Sequence, residues 1–496
     1  MAVVRRVWSR WITILAMCVC VAFALKALVL IDSTTLWGDE LYSVGKSYQP
    51  SFRNLITMLR EDTHPPLYYS LLWLWGRWVG QTPVSLRLLS WLAYLIGALV
   101  MLRQTWVLSQ PESALRATTL AALLAFCSPY PVRFAIEGKS YALLVLLVAL
   151  ALSGRRLWLQ RRQGLMVYGL TVAAAALTHF YGFFFFGAAA LWDGWRQRWR
   201  LAIVALVALL PTVGWIAYAR HYLASSRAGS WIGRPDFALL EDTLARALGP
   251  WPLPKLVVLL LVILAVRRWG LRNGPINDSV GVDRQLSGSA ITLLDLSGVI
   301  PAGLMVLAVV MISFLKPMAF SRYFVVCLPA LVPWLCVAGA SMVLLPWSQR
   351  LVGLMLALLF TLWWHQSFLG LTEAKGGSRE ADQFRAISQI TAMATERYSP
   401  RPHLLNLSDR MELAAGRVST PPASWGNAAA LESRLLQAPR PKSIWLAASG
   451  PDDVVRQRLK PLEEQVDRAG YHCRAADPDL AFARLLRCQP ASASSP

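Results

Sequence analysis

Trp11-Ile12-Thr13-Ile14-Leu15-Ala16-Met17-Cys18-Val19-Cys20-Val21-Ala22-Phe23-Ala24-Leu25-Lys26-Ala27-Leu28-Val29-Leu30-Ile31 holds a single charged residue, Lys26, and six residues later comes Trp37-Gly38-Asp39-Glu40. At 1.5 Å per residue such a run crosses a hydrocarbon core of about 30 Å. Arg5, Arg6 and Arg10 precede it. A cleaved secretory signal also begins with a basic segment, but its apolar stretch is shorter. The run therefore reads as an uncleaved first span with the N-terminus inside.

Working outward, further apolar runs lie near 84–102, 115–131, 141–154, 165–178, 180–194, 201–219, 253–266, 291–315, 323–345 and 351–370. They predict about eleven spans. Composition agrees: 56% of the 496 residues are hydrophobic and 16% are charged, against about 25% charged in soluble domains. That excludes intrinsic disorder. The net charge of +21 would suggest nucleic acid on a soluble chain. Here the cations sit between apolar runs, so nucleic acid is not an expected partner. They are Arg103 with Arg116, Arg155–Arg156 with Arg161–Arg162, Arg196 with Arg198 and Arg200, Arg267–Arg268 with Arg272, and Arg350. They occupy alternate connections, all inside if the N-terminus is inside. An odd number of spans then leaves the C-terminal end outside.

The charge shifts at Leu371. Residues 1–371 carry 32 basic and 14 acidic side chains, and residues 372–496 carry 17 and 14. This divides a membrane domain, 1–371, from a water-facing domain, 372–496. In the latter, Glu380–Tyr398 and Asp452–Ala469 read as helices, the second ending at Gly470. Leu404–Leu407, Ile444–Ala447 and Phe482–Arg487 read as strands. The fold class is an all-α polytopic membrane domain with a small extracytoplasmic α/β domain. Asp477-Pro478-Asp479 reads as a turn. Cys473 and Cys488 are the two cysteines outside the membrane domain; an oxidising compartment lets them pair, and two free thiols is the other reading. No zinc spacing and no glycine-rich phosphate loop occur, so no cofactor is predicted, with a divalent ion left open.

Three features carry chemistry. Asp39 and Glu40 stand just past the first span, where acids cap a helix over 39–47 or where one serves as a general base. Glu61-Asp62-Thr63-His64-Pro65-Pro66-Leu67-Tyr68-Tyr69 follows on the same outer loop, its prolines starting a second helix over 67–79. His64 can donate to a phosphate oxygen. Third, Arg133, Lys139, Lys316 and Arg322 break the charge rule by lying on the outer side, with Glu137 and His179 beside them. Snorkelling explains any one of these cations. Their convergence on the face that also carries the acids fits an anionic ligand. Trp231, Asp236, Glu241 and Asp242 in the loop 220–252 read as a solvated face, with shaping of an acceptor site as the alternative.

Together Trp37-Gly38-Asp39-Glu40-Leu41, His64-Pro65-Pro66-Leu67-Tyr68-Tyr69, Leu86-Arg87-Leu88-Leu89-Ser90, Arg133-Phe134-Ala135-Ile136-Glu137-Gly138-Lys139-Ser140-Tyr141, Thr178-His179-Phe180-Tyr181-Gly182 and Ser321-Arg322-Tyr323-Phe324 resemble the GT-C membrane glycosyltransferases. The resemblance spans about residues 10–370. The protein O-mannosyltransferases, the lipid A aminoarabinose transferases and the Rgt-like bacterial membrane transferases are the groups it points to. It implies a polyprenyl-phosphate sugar as donor, an outer-face active site, and a bacterial inner-membrane location with a cytoplasmic N-terminus and a periplasmic C-terminal domain. Asp39 falls at the family's catalytic acid. His64, Lys139 and Arg322 fall at phosphate-binding positions, with Glu40, Glu137, Tyr68, His179 and Tyr323 in support. His64 stands where some members have lysine, and Glu137-Gly138-Lys139 departs from the usual Glu-x-Arg.

An acid in the first turn of a helix is a weaker base, so Asp39 also suits orienting an acceptor and stabilising a sugar's developing positive charge. The acceptor is an envelope glycolipid, glycan or protein, and membrane lipid is a further partner. Transport or polymerisation of lipid-linked glycans is the alternative function.

Overall fold

A computed structural model of the chain describes residues 2–225, 232–271, 292–340, 354, 357–365, 380–419, 421–449, 452–476, 480 and 483–491. The chain forms two compact units. One comprises Met1–Leu28, Pro50–Leu71 and Leu88–Phe368; the other comprises Val29–Gln49, Leu72–Arg87 and Leu369–Pro496.

Five helices are long and apolar enough to cross a membrane: Thr13–Asp32, Pro83–Leu108, Tyr141–Arg161, Trp199–Tyr218 and Ser321–Ala340. Leu165–Thr178 and Val299–Ser313 are shorter apolar helices. The chain is thus an integral membrane protein, with five qualifying helices among the described residues where about eleven spans are expected. Two runs break at sites of known backbone chemistry. The run 115–131 stops at Cys127, and a separate helix starts at Pro129, because proline cannot donate to the preceding turn. The run 291–315 divides at Gly298, whose φ of +86° ends Leu293–Ser297 before Val299–Ser313 begins. Of the run 351–370, residues 354 and 357–365 are described, and they are helical.

The first unit is held by close helix crossings. A Cβ on Gly154 would stand 2.8 Å from the Tyr168 backbone nitrogen. Only glycine lets Tyr141–Arg161 and Leu165–Thr178 approach so closely, the small-residue packing of membrane bundles. Beside this crossing lies a buried ionic network. The Arg155 guanidinium donates to Asp193 at 2.8 and 2.6 Å, to the Asp295 carboxylate at 3.0 Å and to the Asp295 carbonyl at 2.6 Å. Arg198 donates to Asp295 at 2.5 and 3.0 Å and to Asp193 at 3.2 Å, and Trp192 Nε1 adds 3.0 Å to Asp295. Two cations and two anions balance, which satisfies the demand that buried charges be paired. Arg155 and Arg198, expected to be loop charges that set topology, are structural.

In the second unit a four-stranded sheet has the order β1-β2-β4-β3, with β1 Arg397–Tyr398, β2 Ile444–Ser449, β3 Tyr471–Ala475 and β4 Ala483–Pro490. β1 and β2 are parallel, and the other pairs are antiparallel. Ile444, Leu446, Tyr471, Leu486 and Cys488 turn to a core completed by Val455, Leu459 and Val466 of the Asp452–Arg468 helix. Cys473 and Cys488, opposite one another on β3 and β4, form a disulfide.

Two expectations are corrected here. Leu404–Leu407, read as a strand, lies in the helix Pro402–Ala414. Pro402 starts it, and the buried positions Leu404, Leu405, Ser408 and Met411 recur at helical spacing. The helix expected over Glu380–Tyr398 ends at Ile390, because Arg397–Tyr398 pairs with Trp445–Leu446 as an edge strand. The strand expected at Phe482–Arg487 runs from Ala483 to Pro490. Phe482, Asp477-Pro478-Asp479, Arg272, Arg350, Leu371 and Trp231 lie outside the described residues.

The same unit draws in the first loop. The Gly38–Ser47 helix packs on Pro402–Ala414, with Gly45 close enough that a Cβ would lie 3.1 Å from Leu407 Cδ1. Arg417 bridges Asp32 to Glu412.

Candidate functional site

The two adjacent acids have different fates. Trp37 is extended and leads into the helix Gly38–Ser47, so Asp39 and Glu40 both stand in its first turn. Neighbouring helical residues point about 100° apart. Glu40 turns inward and is fully buried. Its carboxylate receives Arg87 Nε at 2.8 Å and Nη2 at 2.6 Å, and the Trp37 N–H at 3.3 Å. Arg87 spends its remaining donors on the carbonyls of Ile31, Thr34 and Thr35 at 2.8, 2.9 and 2.8 Å. Glu40 therefore anchors the loop, and its oxygens are committed to Arg87 and not presented to a metal. Asp39 is half-buried, and its carbonyl accepts the Ser43 hydroxyl at 3.1 Å. Among the described residues no three metal-ligating side chains gather.

In the membrane unit, residues far apart in sequence assemble around His179. This histidine separates the helices Leu165–Thr178 and Phe180–Trp195, in neither of them, with extended backbone. Its Nδ1 accepts the Tyr181 N–H at 3.2 Å, which leaves Nε2 as the protonated, donating nitrogen. Burial, then the charges of His64 and Lys139, hold its pKa well below the usual histidine range. The ring lies 4.8 Å from Tyr323, 5.6 Å from Tyr181, 5.8 Å from His64 and 5.9 Å from Tyr141, centroid to centroid.

His64 Nδ1 lies 3.1 Å from the Thr63 hydroxyl and 3.5 Å from Asp62 Oδ1. Lys139 is buried; its N–H donates to the Glu137 carbonyl at 2.7 Å, and its own carbonyl accepts from Ser90 at 3.3 Å. Glu137, also buried, pairs with Arg133 at 3.5 Å. Tyr68 is fully buried with its ring 5.3 Å from Tyr69. Arg322 lies on the 3-10 turn Ser321–Cys327, its guanidinium 4.7 Å from the Phe320 ring. The structure thus gathers His64, Lys139, His179 and Tyr323 in one unit, whereas Asp39 and Glu40 belong to the other.

Sequence reasoning assigned no role to Asp62, Tyr141, Tyr181 or Arg87. Asp62, two residues before the histidine, carried a legible signal: an aspartate there folds back on its own turn, as its 2.7 Å bond from the Thr63 N–H shows. Asp242, expected on a solvated face, has a structural task. The helix Phe237–Leu248 starts at Asp236, which accepts the Leu239 N–H at 2.9 Å. Asp242 on that helix accepts from Arg246 at 2.8 Å and from the Ser321 hydroxyl, while Tyr130 donates to the Ser321 carbonyl. Asp242 thereby ties this helix to the turn that carries Arg322 and Tyr323.

Partial burial pushes the Asp242 carboxyl up, but the bonds from Arg246 and Ser321 and the charges of Arg246 and Arg133 outweigh it and hold the pKa below the usual value. A depressed value means the tie is fully made above the ordinary aspartate range and is lost as pH falls through the folded value. Asp242→Ala should raise hydrogen exchange in Phe237–Leu248 and Ser321–Cys327. The rise is at most about fivefold, since a half-exposed pair contributes up to about 1 kcal/mol. Unchanged exchange in both segments would remove the tie.

Comparison of the sequence with known protein families and with curated proteins finds no match. Among solved structures, the crystal structure of ArnT from Cupriavidus metallidurans in the apo state aligns with a TM-score of 0.59 at 15% identity, covering 97% of this chain and 99% of that one. An oligosaccharyltransferase of Archaeoglobus fulgidus, tethered to an acceptor peptide with an NVT sequon, aligns at a TM-score of 0.36 and 12% identity, over 76% of this chain and 57% of that one. The second is too loose to argue from, and the first speaks for the fold alone. The chain has the fold of ArnT over nearly its whole length.

Proposed function

We propose that the chain is a membrane glycosyltransferase that moves a sugar from a polyprenyl phosphate to an envelope acceptor on the outer face, with inversion. The observation that carries this reading is the cluster of His64, Tyr141, Tyr181 and Tyr323 rings around the buried His179, together with the buried Lys139. Ionisable side chains in a membrane domain are costly and mark function. A cationic, hydrogen-bond-donating group of this kind suits a phosphate.

The proposed chemistry follows from the residue types. The acceptor oxygen forms its bond to the anomeric carbon as the bond from that carbon to the phosphate oxygen breaks. Lys139, His64 and Arg322 stabilise the leaving phosphate, and His179 donates from Nε2. Tyr68, Glu137 and Tyr323 support those groups. Asp39 takes the acceptor proton or orients that hydroxyl. Phosphate departs without protonation, so one carboxylate suffices where glycoside hydrolysis uses two. Glu40 acts through Arg87 by fixing the loop. The proposed setting is a bacterial inner membrane, with the N-terminus cytoplasmic and the sheet-bearing domain periplasmic.

The test gives the purified protein a panel of polyprenyl-phosphate sugars with crude envelope acceptor and measures released polyprenyl phosphate. Release with one donor is expected, and it names the sugar. A folded protein that releases nothing from any donor would turn the reading to transport or polymerisation of lipid-linked glycans.

A further inference from the structure

The strand register places four side chains in one row across the sheet. Arg397 of β1 is opposite Trp445 of β2, Trp445 is opposite Arg487 of β4, and Arg487 is opposite Arg474 of β3. Directly opposed residues share a face. Arg397 is buried and has its acid, Asp409, at 2.5 Å. Arg487 and Arg474 are exposed, and neither forms an ion pair among the described residues. Like charges directly opposed on neighbouring strands are destabilising. The pair is nevertheless held in place, because the adjacent opposed pair, Cys473 and Cys488, is covalently joined.

Trp445 is half-buried, with the Arg487 guanidinium 5.5 Å from its ring centroid. Gln489 and His472, opposed one pleat further along the same face, are exposed. In the other direction Ala447 and Leu485 are buried, and the helix Glu380–Ile390 packs on β2 and β4. The covered end of this face is thus apolar, and the open end presents an indole, two guanidiniums, an amide and an imidazole.

We propose that this open end is a binding platform for an acidic glycan, the sugar ring lying on Trp445 and its carboxylate or phosphate taken by Arg474 and Arg487. Guanidinium forks match such anions in a planar, two-point manner. The large flat face of the indole suits a sugar ring. A lipid surface would favour additional exposed apolar side chains beside the indole, and here its neighbours along the open face are polar. Only the further step of calling this glycan the acceptor rests on the transferase reading.

Full-length protein in detergent is titrated with a galacturonate hexamer, with maltohexaose as the neutral control, and with vesicles containing phosphatidylglycerol. Wild type should bind the acidic hexamer, more weakly as salt rises, and not the neutral one. Arg474→Gln and Arg487→Gln should each weaken binding about tenfold. Their unfolding midpoints should stay level or rise, because each relieves a like-charge pair; a merely structural arginine would lower it. Equal binding of the two hexamers, equal binding by the variants, or arginine-dependent binding of the vesicles alone would overturn the platform. In the release assay the same variants should raise the acceptor KM and leave kcat unchanged. Arginine-dependent binding with no release by wild type would keep the platform and reject the transferase. Release by wild type with no acidic preference would do the reverse.

Discussion

Arg87→Met should sharply lower the thermal unfolding midpoint of the purified protein. The substitution removes five hydrogen bonds at once, two to Glu40 and three to the carbonyls of Ile31, Thr34 and Thr35. It leaves a carboxylate that is 0% exposed without its counter-charge. Removing one partner of a buried pair costs about 3–5 kcal/mol, because the survivor keeps its desolvation penalty. Glu40→Gln is expected to cost less, since an amide keeps shape and one acceptor. The double variant Glu40→Met with Arg87→Met should recover part of the loss, because both charges then leave the interior. A level midpoint for Arg87→Met would show that the pair is not what fixes the loop.

That pair marks where sequence reading stops. The helix over 39–47 was legible because its start, with two acids in the first turn, is a local signal. It is observed at Gly38–Ser47. The helix after the paired prolines, expected over 67–79, is observed at Leu67–Trp78 for the same reason. Glu40 and Arg87 are 47 residues apart, and no local rule joins them. Short apolar runs misled in another way: four residues such as Leu404–Leu407 fit a strand or one helical turn equally, and tertiary packing decides.

The buried Arg155 network escapes a sequence reading that credits every basic residue between apolar runs to topology. The corrective signal is in the acids. Asp193 and Asp295 are lone acids at or near the ends of apolar runs. An acid in such a place needs a partner, so the two aspartates by themselves imply two partner cations, and the buried Arg155 and the partly buried Arg198 supply them. Within the candidate site, His64, Lys139 and His179 are each legible as residues out of place, but their convergence depends on helices brought together by contacts such as Gly154 against Tyr168.

Asp39→Asn should leave the unfolding midpoint level and reduce polyprenyl phosphate release by about 10²–10⁴, the usual range for removing a positioned acid–base group. The stability half of this expectation rests on the half-buried side chain and on the exchange of a carboxylate for an amide of the same shape that keeps one acceptor oxygen. The contrast with Glu40 is then diagnostic. Two neighbouring acids should separate, Glu40→Gln acting on the midpoint and Asp39→Asn on turnover. The pH profile decides which task Asp39 performs. A proton acceptor gives wild type an acidic limb in kcat that vanishes in the variant, whereas a group that only orients the hydroxyl or stabilises positive charge on the sugar leaves the residual activity with the same pH profile. A variant that releases polyprenyl phosphate at the wild-type rate would keep the enzyme and remove Asp39 from its centre, because no other role for this carboxylate is consistent with both a stable fold and undiminished chemistry.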